Sequence, residues 1–402
     1  MKIALVNPPW SFEGSAYLGC REPHLPLELG YVRALLAQRG HDARLFDAQL
    51  SGVDLPTLVT QLASYRPHAT VLTTAPCYLS WRCAPPELRV PIQTARALRR
   101  HTERLFIVGP HGTATPGAVL AKIDADAVVM GECEGVLPEL LEAVPSGYER
   151  ISSIAYPQEG AGPRRTKAPI VIQGTAAATD LQSLPPLSWN QLEIAAHRHH
   201  HQRFDRAPDG PGAELEASRG CPRACAFCAK EDVRNRYRSR PLQVLLEELD
   251  GLIALGVRYV FFTDEIFLPN RALLGALLER PIQFGVQLRM ENWSEELLEL
   301  LGRAGCVSIE ASVESITPES RGPSDKRNKL SAQQLTERMI FAKRGVPFVQ
   351  VHLLGGSDDR EGVARWRAQL ASHGVWSNPP QACVGHADLP ARAPRPFAEL
   401  EA

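Results

Sequence analysis

The sequence predicts an α/β protein in two parts. The first is a Rossmann-like, doubly wound parallel sheet, and the second is a partial (β/α)6 barrel. Two observations carry this. Short apolar runs alternate with amphipathic helical patterns through both halves, as in parallel sheets wrapped by helices. Between them, residues 146–205 break the rhythm with glycine and proline signals and read as a linker.

In the first part, residues 1–145, strands are predicted at 2–6, 43–46, 69–74, 105–108 and 126–130. The helical patterns between them place Leu29, Val32, Leu35 and Leu36 on one face, and Leu58, Val59, Leu62 and Tyr65 on another. A helix near 136–144 closes the domain. The linker carries Gly160-Ala161-Gly162-Pro163 as a turn and Leu184-Pro185-Pro186-Leu187 as an extended connector, with a small hairpin expected around 151–156. Its histidine run, His199–His201 with His197, reads as a solvated stretch.

Alternation resumes in the second part, residues 206–390. Strands are predicted at 214–218, 258–262, 282–288, 307–311, 348–353 and, weakly, 381–385. Helices are predicted at 242–255, 271–280, 295–303, 331–344 and 362–373. Six βα units fall short of the eight that close a full barrel. Residues 391–402 read as a loose tail.

Composition excludes several classes. With 44% hydrophobic and 22% charged residues, the 402-residue chain can build a buried core. Forty-four Lys+Arg against 45 Asp+Glu gives no broad nucleic-acid footprint. No apolar run reaches the ~18 residues that span a bilayer. The N-terminal apolar run is too short for a signal peptide, so a cytoplasmic protein with reduced thiols is expected.

Nine cysteines on such a chain are not a disulfide framework. Six stand alone, but Cys221, Cys225 and Cys228 crowd into eight residues just after the first strand of the second part. Three thiolates so spaced can converge on one metal centre. A structural zinc would need a fourth protein ligand, and no His or Cys follows at suitable spacing. An iron–sulfur cube tolerates an open iron.

The spacing Cys-x-x-x-Cys-x-x-Cys, led by Ala217-Ser218-Arg219-Gly220, resembles the signature of the radical S-adenosylmethionine (SAM) superfamily. The resemblance implies that Cys221, Cys225 and Cys228 hold a [4Fe–4S] cluster whose fourth iron is chelated by SAM. SAM is then cleaved to a 5′-deoxyadenosyl radical. Phe227 matches the aromatic position beside the adenine. Asp264 and Glu265, in Phe261-Phe262-Thr263-Asp264-Glu265, match the strand end that meets the SAM ammonium; a helix N-cap pair is the alternative. Ser312 and Glu314 match the fourth-strand motif for ribose and methionine, with Ser-Val-Glu-Ser where Gly-Ile-Glu-Ser is common. Gly355 matches a glycine-bearing strand end that lets backbone approach adenine. Arg289 either neutralises a carboxylate of SAM or substrate, or pairs with Glu291.

The first part resembles the cobalamin-binding domain that precedes many radical SAM cores. Asn7-Pro8-Pro9, Gly40-His41-Asp42, Gly109-Pro110-His111-Gly112 and Gly131-Glu132 carry the likeness. It implies that Gly109, His111, Gly112, Gly131 and Glu132 border cobalamin. The Asp-x-His-x-x-Gly segment that ligates cobalt in cobalamin mutases is absent from the sequence, as is common in this class. Cys20, Cys77 and Cys83 do not match the extra cluster of methylthiotransferases.

The class implies cobalamin-dependent methyl transfer to an unactivated carbon or phosphorus of an organic substrate, with flavodoxin or ferredoxin as electron donor. Rearrangement or cyclisation without methyl transfer is the alternative within the class. A non-catalytic cobalamin or metal sensor is the alternative outside it.

Overall fold

The computed structural model describes residues 1–13, 23–76, 87–158, 168–197, 210–223, 234, 236–313, 315–316, 330–353 and 359–377. The described residues divide into two compact units at His197, each considered by itself.

Unit 1 opens with β1 (Lys2–Asn7), α1 (Leu27–Gln38), β2 (Asp42–Asp47), α2 (Ala48–Ser51), α3 (Leu55–Tyr65) and β3 (Ala69–Thr73). It continues with α4 (Arg89–Leu98), β4 (Arg104–Val108), α5 (Pro110–Ala114), α6 (Pro116–Lys122), β5 (Ala127–Val129) and α7 (Leu137–Glu142). β6 (Ile154–Pro157), β7 (Ile170–Gln173) and α8 (Gln191–Ala196) complete it. The sheet order is β2-β1-β3-β4-β5-β6-β7. β1 to β5 run parallel, and the chain reverses direction across the sheet between β1 and β3. That reversal is a topological switch point, where open α/β sheets bind ligands at the strands' carboxyl ends.

The five predicted strands of this unit are present. Residues 146–197, however, are part of the unit rather than a linker. β6 and β7 pair antiparallel with each other and extend the sheet from β5. The proline connector is buried at Leu184, Leu187 and Trp189. It lies on α1, where Arg33 reaches Glu193 at 2.6 Å and covers the Trp189 ring at 5.1 Å. Proline fixes an extended path without making it solvent-bound, and buried apolar side chains decide where that path lies.

Unit 2 contains β8 (Gly212–Leu215), β9 (Ser218–Arg219), β10 (Arg238–Ser239), α9 (Leu242–Ala254), β11 (Tyr259–Phe262) and α10 (Arg271–Leu277). β12 (Gln283–Leu288), α11 (Glu295–Arg303), β13 (Cys306–Val313), α12 (Ala332–Gly345), β14 (Phe348–Leu353), α13 (Arg360–Ser372) and β15 (Trp376–Ser377) follow. Six strands form one parallel sheet, β15-β14-β13-β12-β11-β8, while β9 and β10 form a separate antiparallel ribbon. Among the described residues β8 and β15 are free edges, so the barrel is partial, as predicted. The sixth strand is Trp376–Ser377; the weak strand at 381–385 and the tail at 391–402 lie outside the described residues.

Helix starts follow side-chain chemistry. Asn270, Ser294, Ser331 and Asp359 each accept a backbone N–H in the first turn of α10, α11, α12 and α13. The two faces of the sheet differ. Leu215, Val260, Phe262, Phe284, Val286, Ile309, Ala311, Val349 and Val351 are buried and apolar. The opposite face carries Gln287, Glu310 and Gln350 side by side in register, and Ser312 beside His352. A parallel sheet normally buries apolar side chains on both faces, so a polar face marks the side that meets a ligand. Among the described residues no helix is long and apolar enough to cross a membrane.

Candidate functional site

Cys221 stands at the neck of the cysteine loop. The neck is the β9–β10 ribbon, with Ser218 opposite Ser239 and Arg219 opposite Arg238. The Cys221 N–H donates to the Arg234 carbonyl at 3.1 Å, which closes the loop one step beyond the ribbon. Gly220 has φ +87°, and a Cβ there would collide with the Arg236 carbonyl oxygen. Only glycine allows the two sides of the neck to approach this closely. Cys225, Cys228 and Phe227 lie outside the described residues.

Buried charge fastens the neck. Arg219 donates two bonds to Glu216, 2.9 and 2.8 Å, with both side chains fully enclosed. Arg240 donates to the Glu216 carbonyl at 3.1 Å and to Glu248 at 2.7 Å, again fully enclosed. Bidentate guanidinium–carboxylate pairs fix geometry as well as charge.

Asp264 and Glu265 follow β11 and face this neck. No helix begins at them, since α10 starts at Arg271 behind its Asn270 cap. Asp264 is 2% exposed; it accepts the Ala217 N–H at 2.9 Å and the Ser218 hydroxyl. Burial pushes its pKa up to about 7, against the lowering effect of those hydrogen bonds. Glu265 accepts the Gly220 N–H at 2.7 Å and the Arg234 guanidinium at 3.0 Å. Each carboxylate thus accepts two donors from the loop, and a carboxylate has capacity for more. Of the two, Glu265 keeps partial exposure.

Arg289 pairs with Glu291 at 2.6 Å, one of the two partners expected for it. Glu291 also holds Arg223, two residues beyond Cys221, at 2.7 Å. Ser312 is half-buried at the end of β13, beside His352 in register. His352 Nε2 lies 2.9 Å from Gln350 Nε2 and 3.9 Å from a Glu310 oxygen. Burial lowers the His352 pKa below the usual imidazole value. Glu314 and Gly355 lie outside the described residues.

Sequence reasoning missed Arg223, Arg234, Glu310, Gln350 and His352, and named Glu291 only as a partner for Arg289. A signal existed for Glu310, Gln350 and His352. The runs Val307-Ser308-Ile309-Glu310-Ala311-Ser312 and Val349-Gln350-Val351-His352-Leu353 alternate with period two, which marks strands with one polar face.

In unit 1 the switch point lies between the ends of β1 and β3. Asn7 Nδ2 bridges them, donating to Asp47 at 3.0 and 3.1 Å and to the Pro76 carbonyl at 3.3 Å. Trp10 Nε1 donates to Asn7 Oδ1 at 2.7 Å. Burial raises the Asp47 pKa to about 7. His111 and Glu132 are buried, at 0% and 1% exposure. Glu132 accepts the Thr179 N–H at 2.7 Å. A Cβ at Gly109 would stand 2.6 Å from Thr74 Oγ1, one at Gly112 would strike Val128, and one at Gly131 would strike Ala177. At Gly109 and Gly112 the space a Cβ would need is taken by the Thr74 and Val128 side chains, and at Gly131 by the Ala177 backbone. Residues 7–9 and 74–76 lie at the carboxyl ends of β1 and β3, on either side of the switch point.

Residues 215–366 match the family model of the Radical SAM superfamily. The chain's fold is similar to that of solved radical SAM enzymes. The radical SAM methyltransferase TsrM from Kitasatospora setae, solved with cobalamin and a [4Fe–4S] cluster, superposes with TM-score 0.69 at 19% identity, over 93% of this chain and 70% of that one. An uncharacterized methyltransferase of Pyrococcus horikoshii is 24% identical over 79% of this chain and 66% of its own length. The anaerobic magnesium-protoporphyrin IX monomethyl ester cyclase of Cereibacter sphaeroides is 25% identical over 78% of this chain and 50% of its own. The chain thus spans about half to two thirds of the length of these curated relatives.

Proposed function

We propose that the protein is a cobalamin-dependent radical SAM methyltransferase acting on an unactivated carbon, or phosphorus, of an organic substrate. The observation that carries this is the placement of Cys221. It sits on a glycine-closed neck beside the ends of β11 and β12, on a partial barrel with one polar face.

The donor set fits the cofactor. Cys221, Cys225 and Cys228 would hold a [4Fe–4S] cluster, leaving one iron for SAM. Ser312 and Glu314, with Phe227 and Gly355, would seat SAM, and Glu265 would meet its ammonium with its remaining acceptor capacity. In unit 1 the crest formed by residues 7–9 and 74–76, with the turn at Gly109, would carry cobalamin. His111 is enclosed and is not offered as a cobalt ligand, in keeping with the missing Asp-x-His-x-x-Gly segment. When bound, the cluster delivers an electron to SAM and cobalamin carries the methyl group; the protein's part is to orient the reactants and exclude water. Flavodoxin or ferredoxin would supply the electron.

The test is an anaerobic assay on reconstituted protein with reductant, counting both SAM-derived products. Methyl transfer predicts S-adenosylhomocysteine and 5′-deoxyadenosine in equal amounts. The likeness to the cyclase favours a second reading, ring closure without methyl transfer, which predicts 5′-deoxyadenosine with no S-adenosylhomocysteine. A sensor would give neither.

A further inference from the structure

We propose that Glu265 and Glu291 form a two-point clasp that brackets Cys221 and sets the position of its thiolate. They are positioning residues for the cluster, a role separate from any contact with SAM. The inference rests on the radical SAM reading and adds to it a second role for Glu265 and a role for Glu291, which no motif singles out.

The geometry is specific. Glu265 takes hold just before Cys221, by accepting the Gly220 N–H at 2.7 Å. The same carboxylate holds the Arg234 guanidinium at 3.0 Å, and the Arg234 carbonyl accepts the Cys221 N–H at 3.1 Å. One carboxylate thus ties both sides of the neck together through a ring of three contacts around Cys221. Glu291 takes hold just after Cys221, through Arg223 at 2.7 Å, and is itself steadied by Arg289 at 2.6 Å. Glu265 follows β11 and Glu291 follows β12, so adjacent strands of the parallel sheet carry the two anchor points.

Burial makes these contacts count. The Arg234 and Glu265 side chains are 4% and 7% exposed, and Glu291 is 8% exposed. Ion pairs in such surroundings are weakly screened, and breaking one leaves a buried charge without its partner. Gly220 adds a steric condition, because any side chain there would strike the Arg236 carbonyl oxygen across the neck. Residues that orient a metal ligand from behind typically change metal affinity when replaced, because the ligand must then be held at the expense of its own freedom.

The experiment uses the full chain, reconstituted anaerobically with iron and sulfide. Its primary readouts are the rate of iron transfer to a chelator and the electron paramagnetic resonance spectrum of the reduced cluster, both without SAM. Arg223→Gln and Arg234→Gln are each expected to release iron roughly ten- to hundredfold faster than wild type. Their spectra should shift or broaden. Arg234→Lys should recover part of the loss, since the ammonium can still reach Glu265. Gly220→Ala should reproduce the fast release by the steric route. Should Arg234→Gln fail to fold, Arg223→Gln, with a side chain 16% exposed, carries the same comparison.

Release rates and spectra equal to wild type in folded variants would overturn the clasp. So would a pattern in which only the affinity for SAM falls, which would make these carboxylates substrate contacts alone. Failure of the functional reading looks different: wild type itself would take up no iron–sulfur cluster. The clasp would then be judged by retention of whatever metal Cys221 does bind, with the same variants and the same expected order.

Discussion

His352 Nε2 on β14 lies 3.9 Å from the carboxylate of Glu310 on the neighbouring strand β13. The pair sits on the polar face of the sheet, with Gln350 2.9 Å from the same imidazole nitrogen. Polar side chains placed there cost folding free energy unless they are paired, and they remain useful to a ligand. We expect His352→Ala to leave the iron content of reconstituted protein unchanged. We expect it to lower 5′-deoxyadenosine formation about tenfold, the scale of one lost hydrogen bond to a buried partner. Unchanged turnover, measured beside iron content in the same preparation, would show that this face plays no part in the reaction.

The buried pair Arg240–Glu248 should behave differently. Both side chains are fully enclosed, so removing one partner strands the other. Glu248→Gln is expected to cost about 3–5 kcal/mol in denaturant unfolding. The double variant Arg240→Met, Glu248→Leu should recover most of that loss. The neck of the cysteine loop gives the pair a second consequence, because Arg240 also holds the Glu216 carbonyl. Iron retention should therefore fall in the double variant even where stability returns.

Asp47 makes a prediction about pH. Its folded pKa is about 7 against a usual 3.8, because burial disfavours the charged form. The folded protein therefore holds this proton more tightly than the unfolded chain. The contribution to stability is complete below about pH 4 and is lost as pH rises through about 7. Asp264, raised to about 7 for the same reason, adds a slope of the same sign. Asp47→Asn should flatten part of the decline in melting temperature between pH 5 and pH 8, and leave the part due to Asp264. An unchanged slope would mean that Asp47 is ionised in the folded protein at neutral pH.

Gly131 tests the packing of unit 1. It has φ +86°, and a Cβ there would strike the backbone of Ala177, which exchanges hydrogen bonds with Met130 and Glu132 at 2.9 Å. Gly131→Ala is expected to destabilise the unit by more than about 1 kcal/mol and to raise protease sensitivity near residues 174–180. Loss of cobalamin in a fully stable Gly131→Ala protein would instead point to direct contact with the cofactor.

How much of this was legible in the sequence depends on the range of the interaction involved. Strands such as β1 and β14 announce themselves by local apolar runs, and four helices of unit 2, α10 to α13, by a capping residue before each. The cysteine loop is legible because ligand spacing is itself local. The membership of β6 and β7 in the first sheet was not legible. Ile154–Pro157 and Ile170–Gln173 are separated by glycine and proline signals that look the same in a linker and in a sheet extension. β6 joins the sheet by pairing with β5, about 25 residues earlier in the chain, and β7 pairs, among the described residues, only with β6. Arg223 and Glu291 are 68 positions apart, and nothing local distinguishes either from a solvated charge; only the fold brings them together. Asp264 and Glu265 were picked out for the right position at a strand end, yet their bonds to Ala217, Ser218 and Gly220 depend on where the β9–β10 ribbon returns.

The most direct measurement is the metal and corrin content of the chain, purified anaerobically and reconstituted with iron, sulfide and hydroxocobalamin. The expected result is about four irons and one cobalt per chain, with the visible spectrum of a [4Fe–4S] protein carrying a corrin. Four irons without cobalt would remove methyl transfer through cobalamin and keep the radical SAM core. Zinc in place of iron would contradict the central claim and leave Cys221, Cys225 and Cys228 as a structural site.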